Sequence, residues 1–243
     1  MTAISIKKLV FTVPNRSVPI LNHIDLSIES GEFVILLGSN GSGKSSLLKL
    51  IDGVDQPTRG DIQFDEMARS QYGRQFKQQP IVRLTQDYQQ SLFCSLTVFE
   101  NCLIADGKNR QKRHGSTRDF FKTYLAKFNR HLPMKLDIAA DFLSGGEKQA
   151  LVLALKIFHP PKILLLDEHT SALDPQSAER LMMLTQAAIE THQLTCVLTT
   201  HNLELALQYG SRIVVLSQGN IVRTYDQAAK EKLTLHELEG IYA

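Results

Sequence analysis

Gly38-Ser39-Asn40-Gly41-Ser42-Gly43-Lys44-Ser45 is the stretch that decides the fold of this 243-residue chain. It matches GxxxxGK[ST], the P-loop pattern, in which a glycine-rich backbone cradles phosphates, the lysine reaches the outer phosphates and the hydroxyl reaches magnesium. Free N–H groups at a helix start point at an anion, and the helix dipole favours its charge. A random match is expected in roughly one chain in a hundred of this size, so the flanking sequence decides. Phe33-Val34-Ile35-Leu36-Leu37 before it is a continuous apolar run of strand type, and Ser46 to Gly53 after it is a helix ending at a glycine. Strand, loop and helix in that order are the context the motif requires.

A second turn of the same kind, Leu143-Ser144-Gly145-Gly146-Glu147-Lys148-Gln149, is poised to open another helix and is a second candidate phosphate site. Around these two turns the chain changes character three times. Residues 4 to 28 hold short β-type segments, Lys8 to Val13 and Ile24 to Ile28, broken by Pro14, Pro19 and Ser30-Gly31, which predicts a small antiparallel sheet. A turn at Pro57 to Gly60 and the strands Asp61–Phe64 and Ile81–Gln86 follow. Residues 96 to 158 then read mainly as helices, the first over Val98 to Ile104 and the second over Arg118 to Arg130. Between them the basic, non-periodic stretch Gly107 to Gly115 reads as a solvated loop.

From Pro160-Pro161 onward a parallel-sheet rhythm returns. It comprises strand Lys162 to Asp167, helix Pro175 to about His192, strand Leu194 to Thr200, helix Asn202 to Tyr209 and strand Ile213 to Leu216. Asp174 before Pro175 is an N-cap with proline at the first helical position, and Gly210 is the stop of the next helix. The strands around Gly219-Asn220 read as a closing hairpin.

Composition sets bounds without naming a partner. The 27 basic and 25 acidic residues nearly balance, so the net charge of +2 gives no ground for expecting nucleic acid or a membrane surface. Cys94, Cys102 and Cys196 show no metal-ligand spacing, and a reduced cytosolic setting fits them. No leader-type segment and no run of the roughly 18 to 20 apolar residues needed to span a bilayer is present. Any membrane role is therefore expected to be borrowed from another chain.

Ile163-Leu164-Leu165-Leu166-Asp167-Glu168 is a buried strand ending in two carboxylates, at the sheet edge where open α/β folds bind ligands. Asp167 is placed to partner magnesium and its water shell, and Glu168 to polarise an attacking water. His201 ends the strand Leu194 to Thr200 at the same edge, where an imidazole can hydrogen-bond a γ-phosphate. Gln86 closes its strand in the same way, and its amide can reach a magnesium-bound water.

With those residues in order, the chain resembles an ABC-type ATPase subunit, the nucleotide-binding component of ABC transporters, over nearly its whole length. Gly38 to Ser45 is the P-loop, Gln86 sits at the Q-loop position, Leu143 to Gln149 matches the LSGGxxQ signature, Asp167 and Glu168 match the Walker B acid and catalytic glutamate, Ser171-Ala172-Leu173-Asp174 matches the D-loop, and His201 matches the switch histidine. Phe11 lies where the family usually places an aromatic that stacks on adenine. The resemblance implies a catalytic set of Glu168, His201, Lys44 and Gln86 and a magnesium set of Ser45, Gln86 and Asp167. It also implies ATP contacts from Phe11, Gly38, Ser39, Asn40, Gly41, Ser42, Gly43, Lys44, Ser45, Ser46, Gln86, Ser144, Gly145, Gly146, Asp174 and His201. One departure is His169 after the glutamate, where many members have proline; it reads as a tolerated loop residue rather than a further polar group near the site.

The resemblance further implies an α/β P-loop ATPase core with a mostly parallel sheet, an N-terminal antiparallel β-subdomain and an inserted helical subdomain, the core over 1–86 and 159–243 and the helical part over 87–158. It implies a homodimer, or pairing with a similar subunit, in which each ATP lies between one chain's P-loop and the other's Ser144-Gly145-Gly146. A separate transmembrane permease and a solute-binding protein are the implied partners, at the cytoplasmic face of the inner membrane, with no direct nucleic-acid contact. The string Glu168 to Asp174 and the C-terminal third look like a subgroup of bacterial importer ATPases with amino-acid-type binding proteins. The alternatives left open are a soluble ABC ATPase acting on nucleic acid or ribosomes, a non-hydrolysing interaction module, and a subunit of an exporter or lipid-transport system.

Overall fold

Strands whose two faces are both covered need apolar residues at every position, whereas a strand with one wet face alternates, and both kinds are found here. The computed structural model describes residues 1–14, 17–68, 80–85, 91–107, 116–171 and 173–242. Gln86 and residues 108–115 of the basic stretch lie outside the described residues, as does Ala172.

The chain divides into two compact units, one formed by Met1–Arg83, Pro161–Glu168 and Ile189–Ala243, the other by Leu84–Pro160 and His169–Ala188. The second unit takes in more than the stretch 87–158 outlined by the sequence, because residues 169–188 group with the helices rather than with the sheet.

In the first unit, β1 (Thr2–Phe11), β2 (Leu21–Glu29), β4 (Arg59–Phe64) and β5 (Met67–Ala68) form an antiparallel sheet in the order β2-β1-β4-β5. A second, six-stranded sheet has the order β10-β9-β3-β8-β7-β6, from β3 (Phe33–Leu37), β6 (Ile81–Leu84), β7 (Ile163–Asp167), β8 (Thr195–Thr200), β9 (Arg212–Ser217) and β10 (Asn220–Tyr225). β3 pairs in parallel with β8 and β9, and β7 with β8, while β10 closes the edge as the antiparallel arm of the hairpin at Gly219. All of β3 and β8 and all but the last residue of β7 are buried, as a doubly covered sheet demands. Ile4, Ile6 and Leu9 of the antiparallel sheet share one core with Val34, Leu36, Leu165 and Val214 of the second sheet and with Leu47, Leu48 and Ile51 of α1 (Lys44–Asp52).

The N-terminal strand departs from its expected boundaries. It starts at Thr2 and ends at Phe11, where Thr12 turns its N–H to Thr58 Oγ1 at 2.9 Å. Lys7 and Lys8 are both exposed, Lys8 has φ +48°, and the register with β2 shifts on either side of Leu9. This bulge re-aims the residues after it, and Phe11 consequently faces the core with 8% of its surface exposed. Phe11 packs in the core cluster of the first unit.

The second unit contains α2 (Val98–Asp106), α3 (Thr117–Ala126), short 3-10 turns at Leu132–Lys135 and Ala140–Phe142, α4 (Gly145–Lys156) and α5 (Pro175–His192) as far as Ala188. α2 starts at a capping box between Thr97 and Glu100. The buried Asn101 side chain ties the preceding turn by accepting from Phe93 N–H at 2.9 Å and donating to Thr97 O at 3.0 Å. Phe99, Phe120, Phe121, Tyr124 and Phe158 form an edge-to-face aromatic cluster, and Tyr124 keeps its hydroxyl satisfied by donating to Ala154 O at 2.7 Å. α5 begins with Pro175, and Asp174 caps it by accepting Ser177 N–H at 3.0 Å.

In the first unit, α6 (Leu203–Gln208) carries Asn202 as N-cap. The C-terminal segment adds α7 (Gln227–Lys230) and α8 (Leu235–Tyr242). Among the described residues no helix is long and apolar enough to cross a membrane. Cys196 is fully buried in β8, and burial pushes its thiol well above the usual range, which suits a small packing residue.

Candidate ATP site

The loop between β3 and α1 is shaped by two positions that admit no side chain. A Cβ at Gly38 would lie 2.4 Å from Leu216 O, and one at Gly43, whose φ is +108°, would lie 2.7 Å from Leu21 Cδ2. α1 starts at Gly43 without any side-chain cap and without an acid in its first turn, so its leading N–H groups are left to an anion. Ser42 Oγ is buried and has no hydrogen-bond partner among the described residues. The adjoining cavity, about 440 Å³, is lined by Ile20, Asn40, Gly41, Gly43, Lys44, Ser45, Ser46 and Glu168. A glycine cradle, an orphaned hydroxyl and an uncapped helix start together fit a polyphosphate.

Lys44 is 4% exposed, and its ammonium donates to Gly38 O at 2.7 Å and Ser39 O at 3.1 Å. The lysine thus curls back over its own loop. Its Nζ also lies 3.4 Å from Glu168 Oε1, and that same oxygen lies 3.3 Å from His201 Nδ1. Lys44, Glu168 and His201, which the sequence placed separately, meet at one carboxylate oxygen.

Beside them Ser45 donates to Asp167 Oδ1 at 2.8 Å. A hydroxyl and a carboxylate at this spacing suit magnesium, which takes one or two protein oxygens and completes its shell with phosphate and water. Among the described residues no group of three His, Cys, Asp or Glu side chains forms a metal cage elsewhere. Asp167 and Glu168 hold different partners, and Glu168 has left the strand with φ +46°. Thr199, which the sequence reading passed over inside an apolar strand, is fully buried and contacts Asp167 Oδ1 at 2.9 Å.

The second phosphate turn belongs to the other unit and is built differently. Ser144 is the N-cap of α4 in a complete capping box, its Oγ accepting Glu147 N–H at 3.4 Å while Glu147 accepts Ser144 N–H at 2.9 Å. Burial would raise the Glu147 carboxyl, but hydrogen bonds from Lys135, at 2.7 Å, and Ser144 outweigh it and hold it below the usual range. Among the described residues Ser144 Oγ only accepts, which leaves its proton, with the N–H groups of Gly145 and Gly146 at the helix start, to a phosphate. Asp174 is exposed, and its hydrogen bonds with Ser177 lower its carboxyl.

His169, read from the sequence as a tolerated loop residue, lies in the turn after Glu168. It is buried in the second unit, its Nε2 3.3 Å from Thr185 Oγ1, and burial pushes its imidazole down to about 4, so it stays neutral. A proline has no polar group to bury, and nothing in the motif spacing signals this substitution's packing.

The ABC transporter family model matches residues 21–171, from β2 through both phosphate turns and the paired acids. The chain belongs to the ABC transporter ATP-binding family. This ABC ATPase is 35% identical over 242 residues to the Tyrosine transport ATP-binding protein of Clostridioides difficile (strain R20291), covering 97% of this chain and 96% of that protein. It is 36% identical over 212 residues to the Sulfate/thiosulfate import ATP-binding protein CysA of Mesorhizobium japonicum (strain LMG 29417 / CECT 9101 / MAFF 303099), covering 84% of this chain and 58% of that longer protein. Its fold matches a dimeric ATP-binding cassette in a post-hydrolysis state bound to ADP and Pi, with a TM-score of 0.72 at 26% identity over 92% of this chain and 98% of that one. It also matches the ADP conformation of an ATP-binding cassette of an ABC transporter, with a TM-score of 0.79 at 20% identity over 100% of this chain and 98% of that one. The ABC ATPase binds and hydrolyses ATP as the energy-coupling subunit of a transport system.

Proposed function

We propose that this ABC ATPase drives uptake of an amino-acid-class solute through a separate permease, working as a head-to-tail pair at the cytoplasmic face of the membrane. The observation that carries the chemistry is the meeting of Lys44 and His201 at Glu168 Oε1 beside the Ser45–Asp167 contact. The tyrosine-transport relative, matched over nearly the full length of both chains, supports the solute class. The dimeric cassette neighbour supports pairing.

In this scheme the N–H groups of the Gly38–Ser46 loop bind the β- and γ-phosphates of one ATP, and Lys44 neutralises charge on them. Ser144, Gly145 and Gly146 of the partner copy complete the site from the other side, with Asp174 at the same junction. Ser45 and Asp167, with Gln86 from outside the described residues, would hold magnesium, which neutralises charge developing on the phosphates. Glu168 takes a proton from water as the water oxygen bonds to the γ-phosphorus; the bond from phosphorus to the β–γ bridging oxygen breaks, leaving ADP and inorganic phosphate. His201 holds the γ-phosphate side of the site and orients Glu168. A solute-binding protein delivers the amino acid to the permease from the far side.

The test is affinity capture of tagged protein from detergent-solubilised membranes, with mass spectrometry, alongside uptake of labelled aromatic amino acids in cells lacking this subunit. Recovery of a multi-spanning protein together with lost uptake is the expected outcome. Recovery of ribosomes or DNA alone would overturn the transport role, and unchanged amino-acid uptake would overturn the solute class.

A further inference from the structure

We propose that Thr199 is a positioning residue for ATP hydrolysis, its buried hydroxyl fastening the carboxylate of Asp167 and the backbone of Glu168 to one point. The role depends on the functions assigned above to those two acids. β7 and β8 run in parallel with Asp167 opposite Thr199, so the threonine stands at the place where the sheet ends and the site begins. It is fully buried, and a hydroxyl taken from water is unfavourable unless hydrogen-bonded. Thr199 Oγ1 accepts Glu168 N–H at 3.1 Å. Among the described residues its single proton has two acceptors within reach, Asp167 Oδ1 at 2.9 Å and Leu166 O at 3.4 Å, and the shorter contact is the effective one because O–H···O bonds run at roughly 2.5–3.0 Å.

Two features give this hydroxyl more than a packing role. Glu168 sits at φ +46°, a conformation that non-glycine residues keep only when the surroundings hold it. Its N–H is shared between Thr199 Oγ1 and Thr199 O, the latter at 3.3 Å. Asp167 Oδ1 has a second hydroxyl partner in Ser45 at 2.8 Å, but Ser45 is exposed and is the oxygen a cation would recruit. Thr199 is buried behind the carboxylate and keeps its hold on Asp167 when Ser45 turns to another partner. One side chain therefore sets the direction of the acid facing the cation and the backbone from which the general base projects.

Thr199→Val keeps the shape and β-branching while deleting the hydroxyl, and Thr199→Ser restores the hydroxyl alone. Both are measured for steady-state ATP turnover, for fluorescent ATP-analogue binding with magnesium and with EDTA, and for melting temperature. Thr199→Val should lower kcat about tenfold or more, the usual scale for losing a support behind a metal-facing ligand, with little change in KM. It should also raise the magnesium concentration needed for half-maximal nucleotide binding, and leave binding in EDTA unchanged. Thr199→Ser should recover turnover to near the parent level. If Thr199→Val is too unstable to purify, Thr199→Cys, of similar volume and with only a weak donor, is expected to show the same losses. Parent-like kcat and magnesium dependence in the hydroxyl-deleted variant would overturn the proposal, as would a loss that serine fails to rescue. Asp167→Asn run in parallel separates the two levels: if it too turns over like the parent, the site assignment itself fails, whereas an inactive Asp167→Asn beside a normal Thr199→Val sinks only the role of Thr199.

Discussion

Glu168→Gln should nearly abolish ATP turnover while leaving ATP bound. The amide keeps the size of the side chain and can still approach Lys44 and His201, which lie 3.4 and 3.3 Å from Oε1. What it loses is the ability to take a proton from water, and removal of a general base typically costs on the order of 10²–10⁴-fold. The phosphate cradle is kept, since its Cβ-free positions and the uncapped start of α1 do not involve Glu168, although the ion pair with Lys44 becomes a neutral contact. Single-turnover hydrolysis and equilibrium nucleotide binding, measured on the same preparation, check both halves. Turnover at the parent rate would show that the base lies elsewhere.

Lys44→Ala should fail at the earlier step. The ammonium makes charge-assisted hydrogen bonds to two loop carbonyls, at 2.7 and 3.1 Å from Gly38 O and Ser39 O. Removing it strips the only cation lining the 440 Å³ cavity among the described residues and also releases the loop's own geometry. A hydrogen bond to a charged group contributes about 1.5–3 kcal/mol, so ATP affinity should drop by roughly 10- to 100-fold or more. Fluorescent-nucleotide titration is the direct readout, and ATP affinity equal to the parent's would remove Lys44 from the phosphate site. The two variants are thus expected to separate binding from chemistry: one binds without turning over, the other hardly binds.

Much of this was legible in the sequence because the decisive features are local. Helix starts at Gly145 and Pro175 follow from the serine cap and the aspartate–proline pair, and the structure has both, while the helix read from Ser46 begins two residues earlier at Lys44. The acids at the end of β7 and the histidine after β8 could be placed at one sheet edge, since apolar runs of that length make buried parallel strands. What escaped the sequence depends on contacts between distant segments. The end of β1 is one such case, because a bulge at Lys7-Lys8 shifts the alternation by a residue, and one residue of slip exchanges the faces of a strand. Thr199 looked like one more β-branched strand residue, and only its register opposite Asp167 reveals its hydroxyl's partner.

The bare start of α1 has a consequence for the subunit's durability. A capping side chain contributes about 1 kcal/mol relative to alanine and less relative to glycine; Ser144 provides one for α4, whereas Gly43 gives α1 its carbonyl, which accepts Leu47 N–H at 2.9 Å, but no side chain. The anion of the fuel is then the missing cap. A ligand present at 100 times its dissociation constant stabilises the folded state by about 2.7 kcal/mol, so the melting temperature should climb with ATP concentration, and a thermal-shift titration reads it directly. A cell short of ATP would hold a subunit that is both idle and easier to unfold, which ties the lifetime of the motor to the supply it runs on.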